Sequence, residues 1–154
     1  MIEAGTPAPG FTLPDQDGDE VSLESLRGQT IVLAFYPLDF SPVCTDQLNV
    51  YQEILPELER AGARLHGVSV DSAFAHKAFR RELGVSISLL ADFHPKGEVA
   101  RSFGVFDEER GVARRALVLI DPEGVVGWSH VSPSPLEFPG ANLIFDALAY
   151  SAAA

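Results

Sequence analysis

The chain's only thiol, Cys44, lies in FYPLDFSPVCTDQL (35–48), just after a Pro-rich turn and where a helix is expected to begin. Ser41 suits the N-cap position, its side-chain oxygen able to accept from a backbone N–H of the first turn. Pro42 then occupies N1, where its missing N–H costs nothing. Cys44 falls at N3, the place a capping box normally gives to glutamate. Unpaired amides and the positive end of the helix dipole favour an anion there, and the thiolate is the reactive form of cysteine. An unperturbed thiol ionises near pH 8.5, so only about a few per cent is thiolate at neutral pH. Local geometry therefore leaves two readings open. Cys44 is a nucleophile, or it is the small apolar filler that a lone cysteine usually is.

Other constellations are weaker. DQDGDE (15–20) has the look of a calcium loop, but Glu20 takes the sixth place, which needs glycine, and Leu26 the twelfth. It reads as a solvated hairpin tip. His66, His76, His94 and His130 show no paired metal spacing. His66, on a strand, reads as a satisfied core or edge residue, and His76 as structural. The absence of C-x-x-C excludes dithiol oxidoreductase chemistry, and no phosphate loop, G-x-S-x-G elbow or dinucleotide fingerprint is present. No metal or cofactor is expected. Phe35, Tyr36, Phe40, Phe103 and Trp128 read mainly as core, with Phe40 and Trp128 also candidates for a pocket wall or a dimer interface.

These residues need strands and helices to position them. FTLPDQDGDEVSL reads as a hairpin turning at Asp17-Gly18, and TIVLAFY (30–36) as a buried strand bounded by Gly28 and Pro37. From Val43 to Arg60, Leu48, Tyr51, Ile54, Leu55 and Leu58 recur at helical spacing, with Gly62 as a stop. ARLHGVSV (63–70) is a second buried strand. Phe74, Ala75, Ala78, Phe79 and Leu83 form a helical stripe ending at Gly84. SLLAD (88–92), a short helix near Gly97–Phe103 and the strand ALVLI (116–120) follow. VVGWSHV returns antiparallel after the turn Asp121-Pro122-Glu123-Gly124. A last helix over about 141–149 carries Leu143, Ile144, Ala147 and Leu148. The pattern predicts one α/β domain over residues 1–154, a mixed sheet with helices on both faces.

Composition bounds the partners. Of 154 residues, 46% are hydrophobic, enough for a full core. The 11 basic and 22 acidic residues give a net charge of −11, which repels phosphate backbones and anionic bilayers, so neither nucleic acid nor membrane is an expected partner. The longest apolar runs are strand-sized, the first residues carry no secretory pattern, and a lone cysteine fits a reducing cytoplasm.

Pro37, Ser41 and Cys44 match P-x-x-x-[TS]-x-x-C, and by this signature the chain resembles the peroxiredoxins, thiol peroxidases on a thioredoxin-like fold. The signature follows a buried strand and opens a long helix. SVDSAFAHKAF (69–79) is similar to the family's strand-to-helix segment. The region 89–124 is similar to its later half, where an arginine precedes a strand ending in D-x-x-G; counting back from Asp121, Arg115 matches it and Arg114 does not. Gly5 to Leu13 fits G-x-x-A-P-x-F-x-L. The match spans nearly the whole chain, and the one-cysteine, AhpE-like branch is the nearest in character.

The resemblance implies roles. Cys44 thiolate would attack the terminal peroxide oxygen and become a sulfenic acid. Arg115 would hold the peroxide oxygens and stabilise the thiolate. Ser41 would orient the substrate, the amides of Val43 and Cys44 would complete an anion site, and Pro37 would pack over the pocket. Ser41 replaces the commoner threonine, and Gln47 the commoner glutamate, leaving that carboxylate's role in doubt. Asn49 is not the resolving cysteine of some relatives. The resolving thiol is therefore expected from outside, from a small thiol or a thioredoxin-like or glutaredoxin-like protein. Family relatives commonly pair, so a homodimer or larger homo-oligomer is expected. Two other classes compete. A redox sensor or holdase chaperone on the same fold would not need Pro37, Ser41, Cys44 and Arg115 together. A Cys–His hydrolase would need a histidine against the thiol.

Overall fold

In the computed structural model, which describes residues 1–153, the chain opens with the expected hairpin. Strands β1 (Thr12–Pro14) and β2 (Glu20–Ser22) pair antiparallel, Leu13 opposite Val21. The connection is longer than a two-residue turn. It runs over residues 15–19, where the Asp15 carboxylate accepts from the amides of Asp17 and Asp19 at 2.8 and 3.1 Å and Gly18 takes φ +83°. A 3-10 turn (Glu24–Leu26) leads to β3 (Thr30–Phe35), α1 (Pro42–Arg60), β4 (Ala63–Ser69), α2 (Ala73–Leu83) and β5 (Ser88–Ala91). Then come α3 (Glu98–Ser102), the ribbon β6 (Phe106–Asp107) and β7 (Val112–Ala113), β8 (Ala116–Ile120), β9 (Val126–Val131) and α4 (Ala141–Ala153).

The main sheet has the order β5-β4-β3-β8-β9, parallel across β5, β4 and β3 and antiparallel across β3, β8 and β9. Being central, β3 must be covered on both faces, which explains its unbroken apolar run. Its alternation divides the core. Ile31, Leu33 and Phe35 pack with Phe11, Leu13, Val99 and Phe103 under the hairpin and α3. Val32, Ala34 and Tyr36 pack with Leu48, Tyr51, Phe79 and Ile144 under α1, α2 and α4. The mixed α/β sheet with helices on both faces and an N-terminal hairpin is thus as expected.

Local details depart from the reading. Pro56 lies inside α1, withdrawing one backbone donor without ending the helix. In α2 the stripe places Phe74 and Ala78 inward, yet both are exposed, Phe74 by 88%. The buried positions are His76 and Phe79, because the polar partners of His76 set the rotation of this helix. No described helix is long and apolar enough to cross a membrane.

His66 is not the satisfied residue expected. It is buried on β4, and its Nδ1 has no hydrogen-bond partner among the described residues. Burial, with Arg64 adding to it, lowers its pKa to about 4. A base held neutral by the fold stabilises it above its unfolded value of about 6.5, and that stability is lost as pH falls toward the folded value. Denaturant unfolding is expected to show the wild type losing about 2 kcal/mol more than His66→Phe between pH 7 and pH 5, at roughly 1.36 kcal/mol per pKa unit. Equal losses would show that His66 is solvated in the folded protein.

Candidate active site

The site forms where β3 ends. The antiparallel register sets Ala116 opposite Phe35, so Arg115, the residue before β8, arrives beside the point where the chain leaves β3 for α1. α1 begins with Ser41 as N-cap, Pro42 at N1 and Cys44 at N3, as the spacing predicts. Cys44 has no exposed surface and Arg115 is 3% exposed.

Arg115 is held on three sides. Its Nε donates to the Pro135 carbonyl at 3.0 Å, Nη1 to Gln47 Oε1 at 2.5 Å and Nη2 to Cys44 Sγ at 3.3 Å. Two of these acceptors are neutral, so sulfur is the one that can carry a full negative charge. Gln47, one helical turn beyond Cys44, is fixed in turn. Its Nε2 donates to Tyr51 Oη at 3.3 Å, and Tyr51 donates to the Pro139 carbonyl at 2.6 Å. Burial pushes the Tyr51 phenol up to about 12, keeping it a neutral donor. A rigid guanidinium fork beside a buried sulfur stabilises the thiolate and keeps donors ready for charge that develops nearby.

Ser41 behaves differently from the capping role read from sequence. Its hydroxyl makes no cap bond to the helix; it donates to the Leu38 carbonyl at 2.9 Å. Ser72, at the start of α2, shows the conventional bond, accepting from Ala75 N at 3.2 Å. The Ser41 side chain therefore leaves the first-turn amides of α1, including those of Val43 and Cys44, for another acceptor. Its own oxygen lone pairs also remain available.

Pro37 is half-buried and shares with Arg115, Val112 and Pro135 the wall of a cavity of about 460 Å³, with Cys44 outside the lining. Arg110 and Arg114 also border this cavity. Trp128 does not. It lies on the sheet's edge strand, stacked on His130 with ring centroids 6.0 Å apart, beside a separate apolar cavity near α4. Phe40 is 53% exposed and rests on Phe79, with centroids 5.0 Å apart.

Sequence reasoning overlooked Asp39, whose only signal was a carboxylate flanked by Leu38 and Phe40. It is buried, and its side chain meets His76 Nδ1 at 2.7 Å and Tyr36 Oη at 2.6 Å. Asp39, Asp71 and His76 bring potential ligand atoms within 4.8 Å of one another. Those atoms are engaged with each other and with Tyr36, Ser69 and backbone groups, the geometry of a hydrogen-bond network. The described partner of Cys44 Sγ is Arg115, not a histidine, which removes support for a Cys–His hydrolase.

Known proteins resemble this chain over nearly its whole length. Residues 4–129 match the model of the AhpC/TSA family. Alkyl hydroperoxide reductase E of Mycobacterium tuberculosis (strain ATCC 25618 / H37Rv) is 35% identical over 150 residues, covering 97% of each chain. The crystal structure of Enterococcus faecalis AhpC superposes with a TM-score of 0.88 at 30% identity, covering 97% of this chain and 92% of that one. Peroxidoxin BcpB from Mycobacterium tuberculosis superposes with a TM-score of 0.84 at 27% identity, covering 99% and 98%.

The contact between guanidinium and sulfur has a consequence that needs no substrate. Arg115→Ala is expected to slow alkylation of Cys44 by iodoacetamide at pH 7 by roughly tenfold or more, because the thiolate loses its counter-charge. An unchanged alkylation rate would show that Arg115 does not act on the thiol.

Proposed function

The chain belongs to the AhpC/TSA family, and on that premise we propose that it is a one-cysteine peroxiredoxin, reducing hydrogen peroxide or organic hydroperoxides at Cys44. The observation that carries the site assignment is the 3.3 Å contact from Arg115 Nη2 to Cys44 Sγ.

The thiolate of Cys44 attacks the terminal oxygen of the hydroperoxide. An S–O bond forms as the O–O bond breaks, sulfur is oxidised to the sulfenic acid, and the departing oxygen takes a proton to leave as water or an alcohol. Negative charge moves from sulfur along the O–O axis. Arg115, already fixed by Gln47 and Pro135, follows that charge without reorganising, which is the condition under which such donors accelerate a reaction most. Ser41, its own proton directed to Leu38, accepts from the hydroperoxide O–H and orients it in line. The free amides of Val43 and Cys44 offer donors at the helix start. Pro37 limits water at the mouth.

The chain holds a single cysteine, so the second thiol belongs to another molecule. An external thiol displaces hydroxide from the sulfenic acid to give a mixed disulfide and water, and a second thiol releases Cys44 in its reduced form. A small thiol or a thioredoxin-like or glutaredoxin-like protein in a reducing compartment such as the cytoplasm fits this step. We also propose that the protein pairs with a second copy of itself, supported by exposed Leu38 and Phe40 in the loop that precedes α1.

Trp128 packs against the apolar cluster that includes Cys44, so its emission can follow oxidation. Stopped-flow mixing with hydrogen peroxide or cumene hydroperoxide is expected to show oxidation much faster than that of free cysteine at the same pH. Arg115→Ala is expected to slow it by about a hundredfold or more. Wild-type oxidation no faster than the free thiol would overturn the peroxidase reading.

A further inference from the structure

The loop from Tyr36 to Ser41 carries both Pro37 and Ser41, yet its conformation is one the backbone does not choose unaided. Phe40 takes φ +68°, a left-handed value that bulky side chains avoid. Such a residue persists only where its surroundings over-determine it. The Ser41 N–H and hydroxyl both reach back to the Leu38 carbonyl, at 3.4 and 2.9 Å. The stronger restraint is Asp39, which is anchored through main chain and side chain together. Its amide donates to Asp71 Oδ2 at 2.9 Å. Asp71 Oδ2 also receives the Ser69 hydroxyl at 2.5 Å. Asp39 Oδ1 accepts from Tyr36 Oη at 2.6 Å, and Asp39 Oδ2 meets His76 Nδ1 at 2.7 Å.

The second nitrogen of His76 decides the nature of this contact. Nε2 lies 3.0 Å from the Leu90 carbonyl, which can only accept, so Nε2 carries a proton. Nδ1 lies 2.7 Å from Asp39 Oδ2 and 3.4 Å from Tyr36 Oη, and the shorter contact, nitrogen against a carboxylate oxygen, requires a second proton between them. Tyr36 does not relieve that requirement, since burial and the neighbouring Asp39 hold its phenol well above the ordinary range and its proton goes to Asp39. The titratable groups around His76 are thus Tyr36, just after β3, Asp39 from the loop and Asp71 after β4. The side chains of His76 and Asp39 are 0% and 1% exposed. Room for the Tyr36 ring comes from Gly67 on β4, where an added Cβ would stand 3.1 Å from Tyr36 Cε1 and 2.7 Å from Leu89 Cδ2.

We infer that a buried imidazolium–carboxylate pair, His76 with Asp39, is the positioning device of the peroxide loop, holding Phe40 left-handed and thereby setting Ser41 at the start of α1 and Pro37 in the wall it shares with Arg115. The inference rests on the peroxidase reading of Cys44 and extends it to a pair that touches neither sulfur nor peroxide. Cys44 itself is held by α1 and by Arg115, which do not pass through this loop. Breaking the pair therefore separates two properties of the site. Orientation of the hydroperoxide is lost, while the reactivity of the thiolate toward a small electrophile that needs no orientation is kept.

Two measurements test this. In the reduced wild type, nitrogen NMR of the histidine rings is expected to show protons on both Nδ1 and Nε2 of His76 at pH 7; a single ring proton would overturn the assignment. In Asp39→Asn and His76→Gln, the rate of oxidation by hydrogen peroxide is expected to fall roughly tenfold or more, as small misplacements of reacting groups do. Alkylation by iodoacetamide should stay within about twofold of wild type, because it reports only the thiolate. Equal losses in both reactions, or no loss in either, would overturn the positioning role. Should either variant fail to fold, the wild-type ring protonation still decides the pair. A wild type no faster than free cysteine would instead count against the peroxidase reading and leave the NMR result standing.

Discussion

A guanidinium held beside a buried sulfur is the contact on which the rest of this molecule depends. Cys44 has no exposed surface, and a thiolate sealed in an apolar cluster is strongly disfavoured unless a counter-charge is fixed beside it. Arg115 provides that charge, and its two other described acceptors, Gln47 and the Pro135 carbonyl, are neutral and do not compete for it. A glutamate at position 47 would share the cation with the sulfur. The amide keeps Arg115 oriented and leaves its charge undivided. The departure at position 47 that left a role in doubt is therefore a coherent part of this site.

The fold is the means of making that contact between residues far apart in sequence. Parallel pairing of β3 and β4 requires the crossover through α1, which begins at the carboxyl end of β3 and carries Cys44 in its first turn. Antiparallel pairing of β3 and β8 brings Arg115 to the same end from the other direction. The two pairing modes in one sheet thus converge on one point. On the other side of the loop, Tyr36, Asp39, Ser69, Asp71 and His76 form a largely buried polar network reaching from the end of β3 to α2. One network fixes the guanidinium beside the thiol, and the other anchors the loop that precedes α1.

Much of this was legible in the sequence because it is written in short-range patterns. The N3 position of Cys44 follows from Ser41 and Pro42 and the buried strands from their apolar runs, whereas Arg115 comes only from the resemblance to the peroxiredoxins, which places an arginine ahead of a strand ending in D-x-x-G. What escaped depends on contacts between distant segments. Phe74 belongs to the helical stripe by spacing, but His76 needs Asp39 and the Leu90 carbonyl, and α2 rotates to satisfy it. Ser41 has the chemistry of a cap, yet its hydroxyl finds the Leu38 carbonyl first. Asp39 gave no periodic signal, since its partners lie just after β3, after β4 and on α2. His66 looked like an ordinary core histidine, and sequence cannot show that its Nδ1 is left without a partner.

We propose that a single fixed cation makes Cys44 a peroxide-reactive thiol that another molecule must reduce. Intact mass spectrometry after mixing the reduced protein with one equivalent of hydrogen peroxide addresses it directly. The expected result is the gain of one oxygen atom, mapped to Cys44 by trapping with dimedone, and no further peroxide consumption until an external thiol is added. A protein of unchanged mass while the peroxide persists would contradict the claim.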